Sequence, residues 1–362
     1  MLFLQDIFIT LLVLSPLIVI HELGHFLLAK KNGVRVERFS LGFGAALWKK
    51  KKAHTEYCVG SIPLGGYIKM AGDSLEDCKG RPYEYYSQPP GKRFQIIFFG
   101  PVFNYILGFM LLWVLFFTGY PASTTKIGAL KDGFGAQKAG LQVGDKIIAI
   151  DGKKIVLFED LQKIISRENT ADTVTVTYLR GNEERSTPVQ IRESSIDDSL
   201  GQKKSVPLIG VSPGDEEIVL RFGFLESFGR AFSRCVDITV LTYKGLWYMV
   251  TRRISVRESV TGPLGIVDII SHARSLGLRA LLSLAAILSI NLGIFNLLPL
   301  PILDGGHIIL LAVEKIRRRP LTAKAEEVIT NIGFSMMMFL VVFVTYNDIV
   351  RMHGNKIAGF FK

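Results

Sequence analysis

Cysteine is scarce in this chain, and the three present, Cys58, Cys78 and Cys235, make no C-x-x-C motif or metal-ligand pair. That excludes a disulfide framework and a cysteine-bound zinc module. No Lys or Arg precedes the first apolar run, and no small-residue cleavage site follows it, so the N-terminus is not read as a cleavable signal. Inverted halves are absent too, which counts against a transporter. With 49% hydrophobic residues and a mean hydropathy of +0.32, the chain is too apolar for an ordinary soluble enzyme of its length.

The apolar residues concentrate in four runs, near Phe3–Ala29, Phe94–Thr118, Ala280–Leu300 and Ile332–Tyr346. Each approaches the roughly 20 residues that a helix needs to cross a bilayer. The net charge of +11 is uneven, with thirteen Lys/Arg between Lys30 and Arg93 and five more in "EKIRRRPLTAK". Short basic loops stay cytoplasmic, so four spans leave both termini outside and 31–93 and 305–330 inside. The membrane accounts for the charge, and no nucleic-acid partner is expected. The expected order is a first span at 1–30, a membrane-associated β-element and loop at 31–93, and a second span at 94–119. An extracytoplasmic module follows at 120–213, then an amphipathic interfacial helix and linker at 214–278. A third span at 279–304, a link at 305–330, a fourth span at 331–350 and a tail at 351–362 complete it.

Glycine-punctuated stretches from "VERFSLGFGAAL" to "SIPLGGYIKM" read as a β-hairpin. Between about Ser123 and Val211, "KAGLQVGDKIIAIDG" alternates in polarity, "VLFEDLQKIISRE" has helical spacing, and "DTVTVTYLRGNEERSTPVQI" reads as a hairpin turning at Gly-Asn. This is a small soluble α+β module, and Ala139–Gly152 resembles the signature region of bacterial PDZ domains. From Leu225 to Val250, Phe228, Phe232, Val236, Thr239, Tyr243, Leu246 and Val250 form a helical stripe that Glu226, Arg230, Arg234, Asp237 and Lys244 avoid. An interfacial helix fits that pattern, and packing on the inserted module is the alternative.

Within the first run, "IVIHELGHFLLAKK" sets His21 and His25 four residues apart, one turn above each other on a helix. Two imidazoles so placed suit zinc, and Glu22 can act as general base on the attacking water without ligating the metal. Ionisable groups within a span are costly and usually functional. A catalytic zinc site needs a third protein ligand. His54, His272 and His353 are available, and "NLLPLPILDGGH" offers Asp304 and His307 where Pro299, Pro301 and Gly305–Gly306 break helical regularity. His21 and His25 lie near the inner end of an inward-running helix, and Asp304 lies near the inner end of the third, so those half-sites share a depth. Asn104, polar within the second span, is either an interhelical hydrogen bond or a wall residue of the site.

These motifs, with "SIPLGGYIKMAGD", "FGPVFNYILG" and "TGPLGI", closely resemble the site-2 protease family of intramembrane zinc metalloproteases, in its RseP-like form with a single PDZ domain. The resemblance implies an α-helical membrane protein with four transmembrane helices, a membrane-associated β-hairpin element and one inserted PDZ domain, in a bacterial cytoplasmic membrane. It implies one Zn2+ per chain on His21, His25 and Asp304, and Glu22 as catalytic base. Asn296, Pro299 and Pro301 would contact substrate, and Gly65, Gly66, Tyr67 and Ile68 would receive it as an added strand. His307 occurs in relatives without being assigned as a ligand. Substrates would be single-span proteins already trimmed outside the membrane, such as anti-sigma factors or remnant signal peptides. The PDZ domain would hold a new C-terminus or screen bulky domains. An inactive PDZ-bearing adaptor is the rival reading.

Overall fold

The computed structural model describes residues 2–167, 172–197, 203–214, 217–253, 260–319 and 321–360. The chain divides into two compact units, one of residues 1–115, 225–247 and 256–362, the other of residues 116–224 and 248–255.

In the first unit, helix α1 (Leu2–Lys31) is apolar almost throughout and ends on Lys30 and Lys31. Cations there complement the helix dipole, and Gly33, at φ +81°, turns the chain out of the helix. Strands β1 (Val36–Lys52) and β2 (Thr55–Met70) follow. They are more than the expected simple hairpin. Residues Arg38–Leu41 pair on one side with Gly66–Lys69 and on the other with Glu56–Val59, while Ala46–Lys52 pair back onto Thr55–Gly60. Two strands therefore fold into a four-segment sheet, antiparallel between Arg38–Leu41 and Gly66–Lys69 and between Ala46–Lys52 and Thr55–Gly60, with Arg38–Leu41 and Glu56–Val59 in ascending register beside each other. The bend is made at Gly42 and Gly44, whose φ values of +90° and +83° are left-handed and disfavoured for residues with a Cβ.

Helix α2 (Pro90–Thr118) starts on Pro90, whose missing N–H costs nothing at a first helical position. In chain order, the second unit contributes β3 (Tyr120–Ser123), β4 (Ile127–Leu130), α3 (Gly135–Lys138), β5 (Lys146–Ile150), β6 (Lys153–Lys154), α4 (Phe158–Arg167), β7 (Thr173–Arg180), β8 (Glu183–Gln190), β9 (Arg192–Asp197), β10 (Lys203–Leu208), β11 (Val211–Pro213) and β12 (Glu217–Leu220). Its main sheet runs β6-β5-β7-β8. Ile147, Ile150, Val174, Val176, Val189, Leu161 and Ile165 form its core. Arg180 pairs with Glu183 across the expected Gly181-Asn182 turn, and β3 pairs with β12 to close the unit's two ends together. A groove of about 360 Å³ lies between α4 (Phe158, Leu161, Gln162, Ile165) and Pro207–Ser212, with Lys131 on its wall.

Asp145 braces this unit. Its buried carboxylate accepts two hydrogen bonds from Arg180, both 2.8 Å, and one from the Gln142 N–H. Burial pushes the carboxyl pKa up, but the Arg180 and Gln142 bonds outweigh it and hold the group below its ordinary value. A depressed carboxylate stabilises the fold above its unfolded pKa, and that stabilisation fades as pH falls through the folded one. Asp145→Asn should therefore cost the unit about 1.5–3 kcal/mol at neutral pH. The gap from wild type should narrow in acid, as read by thermal melts across pH.

Back in the first unit come α5 (Phe224–Val250), α6 (Pro263–Ser275), α7 (Leu278–Asn296), α8 (Asp304–Arg317) and α9 (Ala323–Phe360). Among the described residues, four helical stretches are long and apolar enough to cross a bilayer, Leu4–Lys31, Pro90–Thr118, Leu278–Asn296 and Ala323–Val350. The third differs from the expected 279–304. It stops at Asn296, and Asp304 opens a separate helix, so the expected link from 305 begins as helix. Pro299 and Pro301 prevent continuation. Gly305 and Gly306 let α8 seat directly on the turn, where a Cβ would meet the Leu297, Leu298 and Leu300 carbonyls within 2.1–2.3 Å.

Helix α5 packs through the face opposite its bulky stripe. Its bulky stripe, Phe228, Phe232, Val236 and Tyr243, is exposed, whereas Ser227, Ala231, Cys235, Ile238 and Gly245 are buried. Small side chains allow close helix approach. Thr239 meets the Tyr105 hydroxyl at 3.2 Å and Thr242 donates to Asn291 at 2.7 Å. The buried face thus meets α2 and α7.

Candidate metal centre

His21 and His25 project from one face of α1 with rings edge to face, centroids 4.7 Å apart. Their Nε2 atoms face each other at 3.1 Å. Asp304, in the first turn of α8, completes the group, with Oδ2 3.1 Å from His21 Nε2 and Oδ1 3.6 Å from His25 Nε2. One donor atom from each residue lies within 4.8 Å of the others. Donors about 2.0–2.1 Å from a tetrahedral zinc are about 3.3 Å apart, so this spacing is that of ligands around a shared ion.

The hydrogen bonding agrees. Asp304 Oδ2 is buried and makes no hydrogen bond, despite the imidazole beside it. A carboxylate with one oxygen unpaired, set against two inward-pointing ring nitrogens, is the arrangement a shared cation would satisfy. The outer nitrogens are tied: His25 Nδ1–H donates to the Ile96 carbonyl at 2.9 Å, leaving Nε2 its lone pair. His21 Nδ1 lies 3.2 Å from the Asn104 side-chain amide. The Asn104 Oδ1 is itself without a partner, and turning it to the ring gives Nδ1–H an acceptor. Asn104 is fully buried, and its backbone carbonyl accepts from Ser289 Oγ at 2.8 Å. The residue set fits zinc.

Helix α2 backs both imidazoles. A Cβ at Gly100 would lie 2.4 Å from the His25 ring and 3.0 Å from that of His21, and one at Gly24 would lie 2.3 Å from the Phe99 carbonyl. Glycine at both positions lets α1 and α2 touch at the site. Pro101, next along the helix, lacks an N–H, so the bond removed is the one to the Ile97 carbonyl one turn back. Gly100→Ala should push both rings off their positions. We expect zinc affinity to fall at least about tenfold, by chelator competition, with helix content unchanged, because backing contacts to metal-bound histidines typically count for about 10–100-fold.

Glu22 is partly buried and lies outside the three-residue group. The Ile68 backbone N–H faces its carboxylate. The Gly65–Ile68 segment crosses α1 here, with Gly65 on Ile18, Gly66 beside Glu22, and Tyr67 stacked on Phe43 at 5.6 Å. Asn296 ends α7, and Pro299 and Pro301 lie in the turn leading to Asp304. His307, three residues on, lines a separate small cavity with Arg93 and Glu314. His54 and His272 are exposed, and the His353 side chain lies outside the described residues. Of the third-ligand candidates, Asp304 reaches the histidine pair among the described residues. Sequence reading missed Gly100 and Ile96. The first was visible only as a glycine in "FGPVFN", and the second acts through its backbone and leaves no residue signature.

Apolar helices that carry a His-His-carboxylate cluster beside a glutamate outside that cluster define a membrane-embedded metallohydrolase. The profile of "Peptidase family M50" matches residues 9–340, and the chain belongs to that family. It is a multi-pass membrane zinc metalloprotease. Relatives that carry zinc metalloprotease names include a Campylobacter jejuni protein, 34% identical over 350 residues, with 95% of this chain and 93% of that one covered. Another, from Agrobacterium fabrum, is 33% identical, with 95% of each covered. One from Helicobacter pylori is 32% identical, with 95% of this chain and 99% of that one covered. Among solved structures, the PDZ domain of an SdrC-like protein from Listeria monocytogenes is 23% identical and has a TM-score of 0.21, covering 26% of this chain and 88% of that one.

Proposed function

We propose that this protein hydrolyses peptide bonds within the transmembrane segments of single-span proteins already trimmed outside the membrane. His21, His25 and Asp304 would hold one zinc ion per chain, with Glu22 as general base. The observation that carries this reading is the Asp304 carboxylate, its Oδ2 without a hydrogen bond, set against the Nε2 atoms of both histidines within apolar helices. Zinc at that point would supply Lewis-acid polarisation of the scissile carbonyl and acidify the attacking water. Glu22 accepts the proton of that water and returns it to the leaving amine. Asn104 and the Ile96 carbonyl hold the imidazoles in the ligating tautomer.

A transmembrane helix hides its own carbonyls, so the scissile segment must unwind first. The sheet edge at Gly65–Ile68 runs past Glu22 and would hold it extended by β-augmentation, with Asn296, Pro299 and Pro301 as further substrate contacts. The basic distribution favours both termini outside and residues 31–93 and 305–330 inside a bacterial cytoplasmic membrane. The spans and their intervening segments would follow that order, with α5 lying in the outer interface. The second unit, read as a PDZ domain, would then stand outside. Its apolar groove beside Lys131 favours capture of a freshly cut C-terminus over size screening alone.

The test uses purified protein in detergent. It should contain about one zinc per chain, cleave a transmembrane reporter, lose cleavage to a strong chelator and regain it with added zinc. Zinc without cleavage would favour the adaptor reading, and zinc-dependent flux from proteoliposomes without cleavage would favour a transporter.

A further inference from the structure

Beside the metal centre lies a buried polar cluster that the proposed chemistry does not use. Arg93, at the start of α2, has a side chain only 4% exposed and forms an ion pair with Glu314 of α8, 17% exposed. Its Nε donates to the Gln88 carbonyl at 3.1 Å, and its guanidinium lies 5.3 Å from the centroid of the Tyr86 ring. The Tyr86 hydroxyl in turn donates to Glu326 of α9.

Two features separate this pair from a generic salt bridge. The first is its place on α2. Arg93, Ile96, Gly100 and Asn104 are spaced by three, four and four residues, so they share one helix face. The last three of these hold His25 and His21 from behind. The second is its partner, which rides on the helix whose first turn carries Asp304. One end of α8 seats on the 297–301 turn through its glycines and is tied to α2 only indirectly, through α7, whose Ser289 donates to the Asn104 carbonyl. Further along α8, apolar contacts among Ile308, Leu311, Phe26, Ile96 and Ile97 do join it to α1 and α2. Such contacts are non-directional and tolerate sliding.

We infer that Arg93 is a positioning residue for the metal centre: its pairing with Glu314 locks the helix that backs both imidazoles to the helix that presents the carboxylate. A buried ion pair is a poor way to gain stability, because desolvation offsets its attraction, and a well-attested way to fix register. Its loss lets α8 shift along α2, and Asp304 moves off the two Nε2 atoms before the fold fails. The inference rests on the metal reading of His21, His25 and Asp304.

The experiment measures Zn2+ affinity by chelator competition, and the visible spectrum of the Co2+-loaded protein, on the full chain in detergent. Arg93→Gln should weaken zinc at least about tenfold, in the range of other supports of metal ligands, and should alter the tetrahedral Co2+ bands. Arg93→Lys, which keeps the charge but not the fork, should fall between it and wild type. Arg180→Gln breaks the Arg180–Asp145 pair of the second unit and should leave both readouts unchanged. An Arg93→Gln protein with lowered melting temperature but wild-type zinc affinity and Co2+ spectrum would reduce the pair to a structural role and overturn the inference. Should Arg93→Gln fail to fold, Arg93→Lys with wild-type affinity and spectrum does the same. Wild-type protein that binds no stoichiometric zinc would instead remove the metal assignment on which the inference stands.

Discussion

Glu22→Gln is expected to bind zinc as wild type does and to cleave a transmembrane reporter about 10²–10⁴-fold more slowly, the range of a positioned general base. The substitution preserves shape and removes only the capacity to accept a proton. Because Glu22 stands outside the group formed by His21, His25 and Asp304, metal content should not follow activity down. The two readouts thus separate its role. Zinc lost along with activity would make Glu22 a ligand, and activity kept at the wild-type rate would remove it from the chemistry altogether. Neither outcome can arise from damage to the sheet, since Gln can still accept a hydrogen bond from the Ile68 N–H.

Asp304→Ala should show the opposite separation between metal and fold. Two imidazoles alone should hold zinc at least about 100-fold more weakly, since loss of a mere supporting group already costs about 10–100-fold. His307 cannot substitute, because it lines a different cavity. In the metal-free protein, however, the variant should melt no lower than wild type. Asp304 Oδ2 is buried without a hydrogen bond, and removing such an unpaired group relieves a desolvation penalty. Zinc should then raise the melting temperature of wild type and leave that of Asp304→Ala unchanged. A variant that still binds zinc tightly would point to another third ligand.

The reach of sequence reasoning follows the range of the forces involved. The histidine pair needs only one helical turn, and the apolar runs announce the helix that supplies it. The Gly181-Asn182 hairpin and the helix at 158–167 are likewise local, and were legible for that reason. The bulky stripe on α5 reads as a face for the membrane interface, and nothing in its spacing names the opposite, small-residue face as the one that packs. In this chain the small residues pack and the bulky ones stay exposed, since close approach to α2 and α7 rewards the absence of side chain. The third span ended earlier than its hydropathy because two prolines and a glycine pair outweigh apolarity when carbonyls need partners.

The amino-acid order by itself determined the four apolar helices, the inserted α+β unit, and the two imidazoles and glutamate on one helix. Each follows from hydropathy or periodicity acting within a few turns. The motif resemblance already favoured Asp304 over His307, but only tertiary structure brought its carboxylate to those imidazoles, set the Ile96 carbonyl to fix one tautomer, and let Gly100 make room for both rings. These depend on where helices distant along the chain cross, and crossing is set by packing of surfaces that no local pattern encodes.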